Sequence, residues 1–218
     1  MTNDDPTELP ALPPEFFQRQ DPQPDELFYQ EPRYVTHIDD ATIEALTELY
    51  REIIPPGSRV LDLMSSWISH LPTDVSYERV SGLGMNEQEL ASNPQLDDYV
   101  VHNLNDRPEI PLVDDTFDFV INAVSVQYLT RPIEVFASVR RVLKPGGLSI
   151  VAFSHRLFPT KAVSVWQQLN RDDRARLVAS YHVVASGFDE PAFVDRSPED
   201  ADPLWAVIAK KTEEVLPG

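Results

Sequence analysis

Four short segments carry side chains suited to binding a polar ligand, and each directly follows an apolar run. Amide and hydroxyl groups in them offer both hydrogen-bond donors and acceptors. Asn is equally common at plain turns, so each Asn taken alone fits either a ligand contact or an ordinary turn. Ser125 lacks the flanking glycines of a hydrolase nucleophile elbow, which argues against that chemistry. The segments are Met64-Ser65-Ser66-Trp67, Gly84-Met85-Asn86, Asn103-Leu104-Asn105, and residues 122–128, which begin Asn122-Ala123-Val124.

Few residues could accept a proton from a substrate, which is the usual task of a general base. A His at any one position is more often a surface or capping residue than a base, and Tyr128 and Trp67 are more often wall or core residues. The five His do not cluster and Cys is absent, so we expect no metal site. The candidate catalytic residues are His37, Gln127, Tyr128 and His155, and the candidate substrate contacts are Tyr34, Trp67, Tyr128 and Arg156.

Apolar strands alternate with amphipathic helices from residue 39 onward, which predicts a doubly wound, mostly parallel sheet with helices on both faces. In such a sheet, ligands bind beyond the carboxyl ends of the strands, near the point where strand order reverses. That geometry brings the four polar segments to one edge. The predicted strands are 59–63, 77–83, 100–102, 117–124 and 148–153, with a terminal hairpin of 191–194 and 204–209; the predicted helices start at Asp39 or Asp40, Asn86 and Pro132, and two more span about 159–170 and 172–185.

The phosphate-binding loops of common nucleotide sites are absent. Residues 64–69, after the first predicted strand, contain no glycine, whereas a dinucleotide fold needs G-x-G-x-x-G there so that the backbone can approach the pyrophosphate. No G-x-x-x-x-G-K-[ST] sequence occurs either. A ligand without a diphosphate is therefore favoured over a nicotinamide dinucleotide.

The composition limits the partners. The 218 residues include 36 acidic and 18 basic side chains, a formal net charge of −18. Such a charge disfavours nucleic acid and anionic membrane surfaces as partners, since both require Lys and Arg. The chain shows neither a basic, apolar leader nor a run of apolar residues long enough to cross a bilayer, so we expect a soluble, cytoplasmic protein.

The first 38 residues differ in composition from the rest. Residues 1–35 hold seven of the 20 prolines, which favours extended or disordered chain, but they also carry aromatic residues that a plain linker would not need. We predict a proline-rich, acidic extension over 1–38, partly ordered and able to close over a pocket. The main domain is predicted over 39–212, followed by a short tail, 213–218.

Several stretches resemble class I S-adenosylmethionine-dependent methyltransferases of the type-11-like group. They are Val60-Leu61-Asp62-Leu63, Phe117 to Asn122, the helix end Arg141-Val142-Leu143-Lys144-Pro145-Gly146-Gly147, and Gly187-Phe188 with Leu204 to Ala209. More narrowly, residues 61–72 (LDLMSSWISHLP) with 125–132 resemble a poorly characterised branch in which the glycine-rich loop is replaced.

The resemblance implies a seven-stranded sheet with the last hairpin inserted at one edge, and S-adenosyl-L-methionine as the cofactor. It implies that the first loop holds the methionine part of the cofactor, the second strand exit its ribose and the third its adenine. Two departures matter, because Met64 and Ser66 stand where glycines are usual and Gly84 stands where an acidic ribose ligand is usual. The implied cofactor residues are Asp62, Met64, Ser65, Ser66, Gly84, Met85, Asn86, Asn103, Leu104, Asn105, Asn122, Ala123 and Val124.

Three functions remain open from the sequence. The first is methyl transfer to a small-molecule acceptor, with the N-terminal extension closing over it. The second is a non-catalytic binding or scaffolding protein of the same fold, which the missing glycines and the missing acid favour. The third is an enzyme of another class that uses the sheet for a different nucleotide-like ligand. The sequence specifies neither the acceptor nor the oligomeric state.

Overall fold

Seven strands form one sheet in the computed structural model, which describes residues 12–213. Their order is β3-β2-β1-β4-β5-β7-β6, and every pairing is parallel except those of β7, which runs antiparallel to both of its neighbours. This arrangement confirms the predicted doubly wound sheet with a C-terminal antiparallel hairpin. The strands are β1 Arg59–Leu63, β2 Arg79–Gly84, β3 Asp98–Val101, β4 Phe117–Ala123, β5 Leu143–Phe153, β6 Ala192–Asp195 and β7 Trp205–Lys210.

Helices cover both faces of the sheet, as a parallel sheet requires. α2 begins where the Asp39 carboxylate accepts a hydrogen bond from Thr42 N, and α4 begins at Pro132, whose fixed φ suits a first turn. One core lies between the sheet and α4 and α6, and a second lies between the sheet and α2. The helices are α1 Asp25–Phe28, α2 Asp40–Ile53, α3 Glu87–Ala91, α4 Pro132–Val142, α5 Ser164–Gln168 and α6 Arg171–Ala185.

Most predicted bounds lie within two residues of the observed ones, but two predicted elements start five residues away from the observed start. The helix predicted over 159–170 is reduced to α5, because residues 159–162 form a turn and the segment bonds to the N-terminal residues: Asp21 N donates to Thr160 O, and Arg19 forms an antiparallel bridge with Val163. β5 begins at Leu143 rather than Leu148, because Leu143 already pairs with Phe117. None of the helices between residues 12 and 213 combines the length and apolar character that a bilayer crossing demands.

The order of the strands reverses beside β1, which pairs with β2 on one side and with β4 on the other. The carboxyl ends of these strands form the edge at which this fold binds ligands. Residues 12–39, which we call the strap, cross this edge. Trp67 Nε1 donates to Val35 O at 3.0 Å, and Asn86 Nδ2 donates to Tyr29 O at 2.9 Å, so the strap is bonded to the loops that follow both β1 and β2.

A candidate active-site cavity beneath the strap

A cavity lies where β1, β2, β3 and β4 end, and the strap forms its outer wall. Most of the residues predicted from the sequence as site residues line it, although they come from four separate loops. The predicted residues in the cavity wall are His37, Asp62, Met64, Ser65, Ser66, Gly84, Met85, Asn86, Asn103, Leu104, Asn105, Ala123, Val124 and Tyr128.

Six predicted residues lie outside the cavity wall. His155 and Arg156 pair with Asp202, at 3.0 and 2.9 Å. The buried amides of Asn122 and Gln127 donate to backbone carbonyls, of Leu63 and Val124 respectively. The remaining two, Tyr34 and Trp67, contact each other edge to face, with ring centroids 6.1 Å apart.

The backbone around the cavity is strained. Met64, at the position where the resemblance implies a glycine, adopts a left-handed φ of 60°, so the turn is made without a glycine. Val124 has a φ of 50°, which is rare for a β-branched residue, and His37 and His70 are also left-handed. All four line the cavity. Strain of this kind concentrates at functional sites, where the surrounding structure holds it in place.

The packing around Gly84 leaves no room for an acidic side chain at the end of β2. A Cβ added there would lie 2.2 Å from Ser65 O and 3.1 Å from a Leu90 methyl group. The backbone of the first loop occupies this space because Ser65 N continues the β1–β2 ladder by donating to Leu83 O at 2.8 Å. Position 84 therefore excludes every side chain, an acidic one included.

Asp62 supplies a buried carboxyl group at the floor of the cavity. It is 3% exposed, and Ser65 Oγ donates to its Oδ2 at 2.6 Å. Burial raises the pKa of Asp62 to about 7, against the opposing hydrogen bonds from Ser65 and Ser69. A ligand cation placed beside it would favour the ionised form.

Glu89 is a residue of the cavity wall that the sequence did not indicate. Its carboxylate lines the cavity and accepts hydrogen bonds from Ser66 Oγ and from Arg33 N, both at 2.6 Å. The only sequence signal was the spacing Asn86-x-x-Glu89 at a helix start. The helix start predicted at Asn86 is confirmed, since the Asn86 side chain accepts from Gln88 N and Glu89 N. The Glu89 carboxylate joins the first loop to the strap.

Amide side chains in the cavity wall also hold the strap in place. Besides the bond to Tyr29, Asn86 Nδ2 donates to Gln30 O at 3.1 Å. Asn105 Nδ2 donates to Asp25 Oδ2 at 2.8 Å. Asn103 Nδ2 donates to Glu26 Oε1 at 2.7 Å. The asparagines that follow β2 and β3 thus hold the wall of the cavity together.

A buried charge cluster anchors the strap on the other side. Lys161 is fully buried, and its Nζ lies 3.3 Å from Asp25 Oδ1 and 3.2 Å from Asp21 Oδ2 while donating to Gln23 O. Arg19 completes the cluster, with Nη1 at 2.7 Å from Asp25 Oδ1. Buried carboxylates require such partners, because desolvation of an unpaired charge is costly.

Two candidate bases line the cavity, and their protonation differs. Desolvation, reinforced by the positive charge of Arg33, lowers the pKa of His37 despite the nearby carboxylate of Glu89. Desolvation raises the pKa of Tyr128, whose hydroxyl oxygen accepts a hydrogen bond from Phe158 N at 2.8 Å. At neutral pH the imidazole is therefore neutral and able to accept a proton, whereas the phenol keeps its own.

Comparison with known proteins supports the resemblance. Residues 64–151 match the model of a family described as a methyltransferase domain (type 11). A biotin biosynthesis bifunctional protein, BioHC, from Teredinibacter turnerae is 30% identical over 107 residues, which are 48% of this chain; the matched region is only 16% of the length of that protein.

Solved structures share the fold. The [4+2]-cyclase SpnF superposes with a TM-score of 0.56 at 16% identity, covering 77% of this chain and 81% of that one. A phosphoethanolamine N-methyltransferase from Haemonchus contortus, solved in complex with S-adenosyl-L-methionine, gives 0.55 at 14% identity, covering 78% and 52%. The family match confirms the expected resemblance, and the solved structures show the fold that it implies.

Proposed function

We propose that this chain, which carries a type-11 methyltransferase domain over residues 64–151, binds S-adenosyl-L-methionine in the cavity and transfers its methyl group to a small-molecule acceptor. The observation that carries the proposal is the position of the cavity. It lies at the switch point of the sheet and is walled by the exits of four strands.

The cavity offers polar groups that suit such a ligand. The carboxyl of Asp62 is placed to receive an ammonium group such as that of the methionine part. Ser125 Oγ, His70 Nδ1 and Arg33 Nη1 all belong to lining residues, are buried, and have no hydrogen-bond partner among the described residues. Leaving such groups unpaired costs about 1–3 kcal/mol each, so a polar ligand that pairs them binds favourably.

The first loop leaves the cavity open although it lacks glycines. Trp67 turns outward to the strap and is not among the lining residues, and Met64 forms part of the wall. The positive φ of Met64 gives the backbone the course that a glycine would give it. Met64 and Ser66, which stand where glycines are usual, therefore leave room for a ligand at the end of β1.

Methyl transfer from a sulfonium is an in-line displacement that the protein accelerates by alignment and exclusion of water. The strap closes the cavity on its outer side and supplies both functions. His37 is the best-placed base for an acceptor that must lose a proton, because its imidazole is neutral and it lines the cavity. An acceptor without such a proton needs no base.

A small molecule suits the enclosed geometry better than a macromolecule, because the strap covers the carboxyl edge. The net charge of −18 disfavours nucleic acid as the acceptor. A cytoplasmic location stays a prediction from composition.

The experiment is a calorimetric titration of the full chain with S-adenosylhomocysteine, accompanied by thermal unfolding. At a ligand concentration one hundred times Kd, we expect stabilisation by about 2.7 kcal/mol. For a chain of this size, that corresponds to a rise in Tm of roughly 5–10 °C. Absence of both heat and stabilisation at millimolar ligand contradicts the proposal.

Turnover separates an enzyme from a binding protein of the same fold. Incubation with S-adenosyl-L-methionine and a panel of small acceptors is expected to yield S-adenosylhomocysteine, and a His37→Gln variant is expected to retain cofactor binding while losing turnover of proton-bearing acceptors. A protein that binds the cofactor but never produces S-adenosylhomocysteine would instead be a binding or scaffolding module.

A further inference from the structure

The strap places a single guanidinium group in the cavity wall. Among the described lining residues, Arg33 is the only Arg or Lys. Its Cζ lies 4.3 Å from the centroid of the Phe28 ring and 5.7 Å from that of Phe158. These two rings contact each other edge to face, so they form a fixed aromatic support for the charge.

The hydrogen-bonding capacity of this guanidinium is not used within residues 12–213. Nη1 of Arg33 is buried and has no partner there, and no carboxylate lies within ion-pairing distance of its side chain in that range. Aromatic faces attract the charge but leave the N–H groups at the edge of the guanidinium unpaired. A buried charged donor without an acceptor is costly, and the planar fork of Arg matches a carboxylate in a two-point contact.

The acidic groups of the cavity are already occupied by other partners. Glu89 accepts from Ser66 Oγ and from the backbone N–H of Arg33, not from its side chain. Asp25 pairs with Arg19 and Lys161, and Asp62 accepts from Ser65. The positive charge of Arg33 is therefore left for a ligand.

We propose that Arg33 is the carboxylate receptor of the cavity, which binds a carboxylate group of a ligand through its guanidinium edge. The inference rests on the proposed function, since the carboxylate belongs either to the methionine part of the cofactor or to the acceptor. In the second case Arg33 restricts the acceptors to organic anions. In both cases the strap takes part in recognition as well as in enclosure.

The first arm of the test concerns the cofactor. Calorimetry compares S-adenosylhomocysteine with its decarboxylated analogue on the wild type, on Arg33→Met and on Arg33→Lys. Arg33→Met keeps an unbranched side chain against Phe28 but removes the charge, and Arg176→Met removes an exposed guanidinium elsewhere as the matched control. If the cofactor supplies the carboxylate, Arg33→Met weakens S-adenosylhomocysteine at least tenfold and leaves the decarboxylated analogue unchanged, with Arg33→Lys between the two.

The second arm concerns the acceptor and uses acetate, butyrate and benzoate, with the corresponding amides as neutral matches, titrated into protein saturated with S-adenosylhomocysteine. If the acceptor supplies the carboxylate, the acids bind the wild type at least tenfold more tightly than the amides. Arg33→Met then abolishes this preference, whereas Arg176→Met retains it. Thermal unfolding of each variant shows that it is folded at the temperature of the titration.

The outcomes separate this inference from the proposed function. A wild type that binds neither S-adenosylhomocysteine nor its analogue contradicts the proposed function, and the acid–amide comparison on the unliganded protein then tests Arg33 by itself. A folded Arg33→Met protein that binds S-adenosylhomocysteine as tightly as the wild type, and that shows the same acid–amide ratio, overturns the inference.

Discussion

We expect the carboxyl of Asp62 to couple cofactor binding to pH. Its pKa of about 7 lies well above the ordinary 3.8, because burial disfavours the charged form. At pH 6 most molecules hold the proton, and at pH 8 most have lost it. A ligand whose ammonium lies beside this group binds the ionised form, so we expect the affinity for S-adenosylhomocysteine to rise about tenfold from pH 6 to pH 8.

The matched control is Asp62→Asn, which keeps the size of the side chain but cannot ionise. It is expected to bind more weakly, with little dependence on pH. The sign for stability is opposite: between about pH 4 and pH 7 the folded state keeps a proton that the unfolded state has released, so rising pH destabilises the unliganded wild type relative to Asp62→Asn. A pH-independent affinity of the wild type would contradict this role for Asp62.

Introducing an acidic side chain at position 84 is expected to lower the free energy of unfolding. Because a Cβ there would lie 2.2 Å from a backbone oxygen, Gly84→Ala forces the first loop away from β2. We expect a loss of about 1–3 kcal/mol in the free energy of unfolding, and at least that for Gly84→Asp.

Chemical denaturation measures this loss, and Gly57→Asn is the control, because nothing lies within 4 Å of a Cβ at position 57 and Asn tolerates its left-handed φ. A Gly84→Ala protein as stable as the wild type would show that the loop yields easily, and position 84 would then be open to an acid.

Met has no preference for a left-handed conformation, so the residue type at position 64 does not predict the turn. Only the glycine that the family resemblance implies at this position indicates it. The sequence also could not assign Glu89 or Arg33 to the site. Glu89 fits a helix start and Arg33 lies in a proline-rich segment, so neither carries a local signal of function. Their roles arise from contacts between residues 56 positions apart in the chain.

At the scale of elements, local periodicity was sufficient for most of the fold. The capped start of α2, the Pro132 start of α4 and the seven strands follow from residue types that act over a few positions. The predicted helix over 159–170 failed because residues 160–163 pair with the strap, a partner far away in the chain. Predictions from local patterns fail where a distant segment competes for the backbone.

The strap depends on the buried charge of Lys161. Lys161→Met removes the ammonium group that neutralises Asp25, which is 3% exposed and keeps Arg19 as its other partner. Loss of one partner from a buried charge cluster costs about 3 kcal/mol. We expect a fall in Tm of roughly 6–12 °C and faster cleavage within the strap by a protease.

The control for this variant is Lys210→Met, because Lys210 is half exposed and lies 3.6 Å from an exposed Glu213. It is expected to change neither Tm nor cleavage measurably. If Lys161→Met left the protease pattern of residues 12–39 unchanged, the anchoring of the strap would have to reside in its other bonds, such as those from Asn86, Asn103 and Asn105.

At the scale of the whole molecule, repulsion between like charges opposes folding. With 36 acidic and 18 basic residues, an excess of 18 negative charges stays uncompensated even if every Lys and Arg forms an ion pair. Exposed ion pairs contribute little each, about 0–1 kcal/mol, so salt removes little stability when it screens them. Salt also weakens the repulsion between the excess negative charges, and we expect this gain in stability to be the larger effect. We therefore expect added salt to stabilise the protein.

The measurement is Tm at pH 7 in 20, 150 and 500 mM NaCl, with KCl at the same ionic strengths as the control for ion identity. Most of the rise is expected below 150 mM, where the screening length shortens to about 8 Å. The Lys161→Met difference should persist at high salt, because the cluster around Asp25 is buried and ions screen it poorly. A Tm that falls with salt would mean that surface ion pairs outweigh the excess charge, and a Lys161→Met difference that vanishes would mean that water and ions reach the anchor of the strap.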